Sequence, residues 1–144
     1  MTIALDYERI NYSGVAAIGD QMTVPPPQFG STYGPGFGWQ DVNVWKLGGE
    51  YQYNEHWILR TGWNHGDDPI TATNIGINVL APGVITDHFT MGASYLTGNG
   101  EWNASYIHGF NNSLSGNMPA AFGGAPVSIS MHQDIVGVSY AWKM

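Results

Sequence analysis

The sequence predicts an all-β chain, an antiparallel transmembrane β-barrel sheet, and three observations carry that expectation. Charged residues are 10% of the 144, where soluble domains carry about 25%, although the hydrophobic fraction is an ordinary 43%. No apolar run approaches the roughly 18 residues of a membrane-crossing helix. Apolar and polar side chains instead alternate with a period of two, through six stretches bounded by turn residues. Strands that face lipid on one side and a lumen on the other give this mixture of moderate hydropathy and sparse charge.

The six stretches are residues 2–12, 42–53, 56–65, 86–97, 101–111 and 128–143. Most are close to the ~9–11 residues a tilted strand needs to cross a bilayer, and the last is longer. Long connections at 13–41, 66–85 and 112–127 alternate with tight ones at Asn54-Glu55 and Gly98-Asn99-Gly100. All eight prolines, Pro25, Pro26, Pro27, Pro35, Pro69, Pro82, Pro119 and Pro126, fall in the long connections, as residues that cannot donate to a ladder should. Short turns at one end and long loops at the other are the pattern of periplasmic turns and extracellular loops. The whole chain, 1–144, reads as a single partial barrel domain.

In the first strand Ile3, Leu5 and Tyr7 alternate with Ala4, Asp6 and Glu8, but Arg9, Ile10 and Tyr12 break the phase, so a bulge is expected near Glu8 or Arg9. The second sets Trp45, Leu47, Tyr51 and Tyr53 against Lys46, Gly48, Glu50 and Gln52, and the third sets Trp57, Leu59 and Trp63 against Arg60, Gly62 and Asn64. In the fourth, Phe89, Met91, Ala93 and Tyr95 oppose His88, Thr90, Gly92 and Ser94. In the fifth, Trp102, Ala104, Tyr106 and Phe110 oppose Asn103, Ser105, Gly109 and Asn111. The sixth sets Val136, Val138, Tyr140, Trp142 and Met144 against Gly137, Ser139, Ala141 and Lys143. Tyr53, Trp57, Trp102 and Trp142 near the short turns, with Trp63 and Phe110 near the long loops, would form two interfacial girdles. A soluble sandwich or lipocalin-like barrel also alternates, but the polar face here is rich in Gly, Ser, Thr and Asn rather than charge, which suits an enclosed lumen.

The absence of cysteine excludes a disulfide framework or a thiolate metal site. A net charge of −7, with four lysines and arginines, leaves no basic patch for nucleic acid. Met1 is followed by Thr-Ile-Ala-Leu-Asp-Tyr-Glu-Arg, without the basic start and apolar core of a secretory leader. The expectation is that a leader was cleaved or that the chain begins inside a longer protein.

The segments Leu5-Asp6-Tyr7-Glu8-Arg9-Ile10-Asn11-Tyr12, Gly34-Pro35-Gly36-Phe37-Gly38-Trp39-Gln40-Asp41-Val42, Trp45-Lys46-Leu47-Gly48-Gly49-Glu50-Tyr51 and Arg60-Thr61-Gly62-Trp63-Asn64-His65-Gly66 stand in order along the chain. Together they resemble the outer-membrane long-chain fatty acid and hydrocarbon transporters of the FadL/TodX type. Leu80-Ala81-Pro82-Gly83-Val84, Met131-His132-Gln133 and Ser139-Tyr140-Ala141-Trp142-Lys143 extend the likeness along the chain. The resemblance implies a 14-stranded barrel, plugged by an N-terminal hatch, that passes hydrophobic molecules through the bacterial outer membrane. It implies that this chain is the last third, six strands whose missing N-terminal strands and hatch lie elsewhere, since an open sheet edge in lipid leaves backbone groups unsatisfied. The chain departs from the family at its end, where Met144 stands in place of the usual terminal aromatic.

The function expected from this likeness is passive diffusion of long-chain fatty acids or aromatic hydrocarbons through a multi-pass barrel, with no enzyme activity and no cofactor. The alternative is a structural or adhesive barrel whose long loops bind partners. His56, His65, His88, His108 and His132 show no ligand spacing, and His65 with Asp67 and Asp68 sits at a strand-to-loop junction where polar residues belong, so no metal is expected. No Gly-x-Ser-x-Gly elbow is present, and Gly34-Pro35-Gly36-Phe37-Gly38 lacks the Lys-Ser/Thr of a phosphate loop. Phe37 and Trp39, with Phe29, Tyr33 and Phe122, either form a greasy landing surface for substrate or pack the loops together. Lys46 and Arg60 either hold a fatty-acid carboxylate or pair with Glu50, Asp6 and Glu8 in a ladder between strands. Val44 and Ile107 either line a channel or fill space.

Overall fold

The computed structural model describes residues 1–22, 28, 31 and 34–142, so Pro25, Pro26, Pro27, Phe29, Tyr33, Lys143 and Met144 lie outside the described residues. Six strands, β1 (Thr2–Ile10), β2 (Val42–Gln52), β3 (Trp57–Gly66), β4 (Asp87–Thr97), β5 (Gly100–Asn117) and β6 (Pro126–Trp142), form one sheet in chain order. Every pairing is antiparallel. Two short helices, α1 (Ala16–Gly19) and α2 (Ile75–Asn78), lie in the first and second long connections. The β2–β3 turn is set by Asn54, whose side-chain oxygen accepts the backbone N–H of both His56 and Trp57 at 2.9 Å. An Asx turn of this kind closes a hairpin without glycine.

The registers assign the two faces. Leu5, Leu47, Trp63 and Phe89 lie side by side across β1 to β4, and Asp6, Lys46, Asn64 and His88 form a row on the opposite face. The first, outer face is apolar and open: Leu5 is 72% exposed, Leu47 54% and Val136 75%. In water such a surface would be costly, whereas acyl chains cover it without penalty. Its aromatics pair across strands at both ends, Trp57 with Tyr95 at 4.9 Å and Trp102 with Tyr140 at 4.7 Å near the short turns. Tyr7 pairs with Trp45 at 4.6 Å and Trp63 with Phe110 at 5.2 Å near the long connections. These are the two girdles that the spacing of aromatics predicts.

Three expectations are corrected. β1 has no bulge, because Thr2 to Ile10 pair without a break against Glu50 to Val42. Arg9 keeps the outer phase and reaches Asp41 at 3.3 Å and Asn43 at 3.5 Å, while Ile10 turns inward opposite Val42, which is 4% exposed. The irregularity lies in β5, between Gly109 and Asn112, where Phe110 and Asn111 face the single residue His132. That extra residue flips the phase, so Asn112 and Leu114 join the inner face, and Asn111, expected inward, bonds Ser130 at 2.9 Å.

The third correction is that the loop expected over 112–127 is largely strand. β5 runs to Asn117 and β6 starts at Pro126, the first-residue position that proline tolerates. The extension persists because its inner side chains have something to pack on. Ile129 on β6 joins Ile70, Ile75 and Val84 of the second long connection in a buried cluster, flanked by Trp39, Leu114, Val127 and Met131. The second connection presses so closely that a methyl group at Gly116 would meet the Ala72 carbonyl and the Ile75 side chain. The largest buried cluster among the described residues therefore belongs to the long connections, folded over the inner face at one end of the sheet.

Candidate functional site

The inner face carries two distinct arrangements. Toward the short turns, Glu50 stands directly opposite Arg60, and Arg60 Nε donates to the Glu50 carboxylate at 2.8 Å. Arg60 also donates to Ser94 Oγ, and the fully buried Ser94 donates in turn to Asn103, so one polar chain crosses four strands. Lys46 Nζ bonds Glu8 at 2.7 Å and Asp6 at 3.5 Å across the β1–β2 pair. Each cation is partly open to solvent, so each pair is screened and has the modest energetics of a surface ion pair. Both cations are thus held by acidic partners within the sheet, in the ladder geometry.

Toward the long connections lies a cleft of about 240 Å³ between the sheet and the loops. Its floor is Ile10, Val42, Val44, Asn64 and His88, and its roof is Tyr12, Trp39, Pro69, Gly83, Ile85 and Thr86, with Gly66 and Asp67 at the strand end. Tyr12 and Trp39 meet edge to face with centroids 5.1 Å apart. Val44, an inward residue by parity, lines this cleft, whereas Ile107 lies two rows nearer the short turns, in the row of Gly48, Gly62 and Thr90 and opposite Ile135. His88 is among the lining residues, with its Nδ1 shielded from the open space and without a hydrogen-bond partner among the described residues. Sequence reasoning placed His88 on the inner face but gave it no role, and Tyr12, Ile10 and Ile85 were not singled out because nothing local signals that distant loops converge on them.

Trp39 is seated by an asparagine clamp. Its indole N–H donates to Asn78 Oδ1 at 2.6 Å, and Asn78 Nδ2 donates to the carbonyls of Phe37 and Asn74, each at 2.8 Å. Asn74 Nδ2 donates to the Gly38 carbonyl at 3.2 Å. Gly38 has φ +67°, and a side chain there would collide with the Asn74 amide, so both conformation and space require glycine. Trp39 consequently roofs the cleft, and half-buried Phe37 contacts Trp39, with centroids 6.3 Å apart, without lining it. Phe122 is elsewhere, with Met22, Ile77, Leu80 and Met118 in a separate apolar cleft at the loop tips.

The run His65, Asp67, Asp68 is split three ways. His65 Nδ1 meets Asp87 at 2.9 Å on the outer face, Asp67 accepts the backbone and side-chain N–H of Asn43 at 2.9 and 2.8 Å, and Asp68 accepts the Ile70 N–H at 2.9 Å. Among the described residues no set of three His, Asp or Glu is placed to hold a metal ion. The hydrogen bonds from Asn43 hold the Asp67 carboxyl below its ordinary pKa, whereas burial pushes Asp68 up. Asp41, which accepts Ser13 Oγ at 2.7 Å and Ser13 N–H at 3.0 Å, is lowered by those bonds. A second His–acid set, His108 and Tyr106 with Asp134 at 2.7 and 2.6 Å, also stands on the outer face, a polar interruption that the alternation did not reveal.

A sheet with one open apolar face, aromatic girdles at both ends and a polar inner face roofed by loops defines the class as a membrane β-barrel wall. The chain belongs to the outer membrane protein transport protein family (OMPP1/FadL/TodX), whose model matches residues 1–132. That family transports hydrophobic compounds across the outer membrane. Neither the curated proteins nor the solved structures contain a match to this chain.

Proposed function

We infer that this chain is one wall of a passage through which long-chain fatty acids or aromatic hydrocarbons diffuse passively across the outer membrane. The observation that carries this is the loop-roofed cleft on the inner face, whose walls are mainly apolar and aromatic. A hydrophobic solute enters such a cleft by shedding water, needs no covalent step, and moves on because binding is shallow. The short turns face the periplasm and the long connections face the exterior, so the cleft is the outer vestibule. β1 and β6 each have one neighbour in the sheet, and we assign their free edges to further strands of the same barrel, with a hatch inside it. The rival reading, a structural or adhesive barrel, draws support from the loop-tip cleft around Leu80 and Phe122, which are 78% and 47% exposed.

Uptake decides between them. Liposomes carrying the protein should take up labelled oleate or toluene faster than empty liposomes, with first-order dependence on the gradient. Equal rates with and without the protein would leave the adhesive reading.

A further inference from the structure

The polar set on the outer face lies just inside the girdle at the long-connection end. His108 stands two residues from Phe110 on the same face of β5, about 7 Å nearer the short turns, and the two rings meet edge to face. Its Nδ1 bonds Asp134 Oδ1 at 2.7 Å, and the Tyr106 hydroxyl donates to the same oxygen at 2.6 Å. Oδ2 accepts nothing among the described residues, and the Asp134 side chain is 51% exposed. A carboxylate only accepts, so Nδ1 carries the hydrogen of its bond and Nε2 of the neutral ring is a second acceptor. Acceptors at the edge of the acyl phase are costly unless a donor reaches them. β4, β5 and β6 contain no lysine or arginine to supply one.

On the short-turn side of this set the face is hollowed. Ala93 and Ala104 are cross-strand partners, and their methyl groups leave a trough of about 500 Å³ bordered by Leu59, Met91, Tyr106 and Val136. Tyr106 joins the two features, its ring on the trough and its hydroxyl on Asp134. We propose that together they bind a lipid whose headgroup carries a primary ammonium, which donates to Asp134 Oδ2 and His108 Nε2 while one acyl chain fills the trough. Charge and donor count select the headgroup. A purely anionic one is repelled by Asp134 with no cation to offset it, and a quaternary ammonium has no N–H to give. The site goes beyond the transport reading and rests only on the lipid-facing wall.

The chain has no cysteine, so a fluorophore can be attached at Val138→Cys, opposite Ala104 beside the trough, or at Leu47→Cys, distant on the same face. The protein is reconstituted in phosphatidylcholine liposomes and titrated with brominated-chain lipids of one acyl composition bearing ethanolamine, choline or glycerol headgroups. The ethanolamine lipid should quench the label at 138 at about threefold lower mole fraction than the other two, a preference of the size an exposed ion pair gives. All three should quench the label at 47 equally. Asp134→Asn, which keeps the shape and removes the charge, should abolish the preference, and so should Ala104→Phe, which fills the trough. Assembly of each variant is checked by its heat-modifiable gel mobility. Equal quenching at 138 by the three lipids, a preference for the glycerol headgroup, or a preference that survives in either assembled variant overturns the proposal. Quenching at 138 by none of them overturns the lipid-facing wall as well, which separates the two failures.

Discussion

Trp39 and Asn78, 39 positions apart in sequence, are joined by a 2.6 Å hydrogen bond from the indole N–H to the side-chain oxygen. The bond fixes the first long connection against α2 of the second, and the roof of the inner cleft depends on it. Asn78 is fully buried, with both amide protons donated and its oxygen accepting from Trp39, so the position uses both the donor and the acceptor ends of the side chain.

Asn78→Ala therefore strands the Trp39 N–H and the Phe37 carbonyl. The loss should be about 1–3 kcal/mol, the penalty for unsatisfied buried groups. It should appear as faster proteolysis within 34–41, with the amide exchange of β2 to β4 unchanged. Protection of 34–41 equal to the wild type would mean that the clamp does not hold the roof.

Gly38→Ala attacks the same roof from the backbone. A left-handed conformation costs an alanine roughly 1–2 kcal/mol, and the added methyl also meets the Asn74 amide. The variant should bind hydrophobic ligand more weakly while its strands assemble normally.

Acid should loosen the loop roots. Asp41 and Asp67 have folded pKa values below the ordinary 3.8 because Ser13 and Asn43 donate to their carboxylates. Their contribution is fully present above pH 3.8 and is lost as the pH falls through the lowered values. Asp68, raised by burial, works in the opposite sense, its contribution falling as the pH rises from 3.8 through its raised value. Exchange at the Ser13 and Asn43 amides, corrected for its intrinsic pH dependence, should accelerate as the pH falls below 3.8.

Lys46→Ala and Arg60→Ala test the ladder. If these cations only join strands, fatty-acid affinity stays unchanged and stability falls only slightly for Lys46, whose pair is exposed and screened. Arg60→Ala should cost more, since it also leaves buried Ser94 without its donor. A tenfold loss of oleate affinity in either variant would assign that cation to the ligand instead.

Strand positions and faces were legible because the period-two alternation of Trp45, Leu47, Trp63 and Val136 against Lys46, Gly62 and Gly137 is a local signal. The phase flip at 109–112 was not, since Gly109-Phe110-Asn111-Asn112 has no strong facial preference and only the register against Gln133 and Met131 exposes it. Residues 112–117 are rich in Ser, Gly and Asn, and they remain strand because Leu114 and Ile129 pack on Ile75 and Val84, a tertiary effect invisible in a window of sequence. The same holds for the cleft. Trp39 was singled out from sequence and His88 stands on the inner face its alternation gives, but Tyr12 and Ile85 reach the cleft through connections whose folding no local pattern encodes.

The facial assignment can be measured directly, because the chain has no cysteine and single cysteines can be introduced without background. Spin labels at positions 135 to 140 of β6, in liposomes, should alternate in collision rate. Positions 136, 138 and 140 should be relaxed by oxygen in the acyl phase, and 135, 137 and 139 by a water-soluble nickel complex. A uniform response along the strand, or nickel access at 136 and 138, would contradict a wall with lipid on one side and lumen on the other.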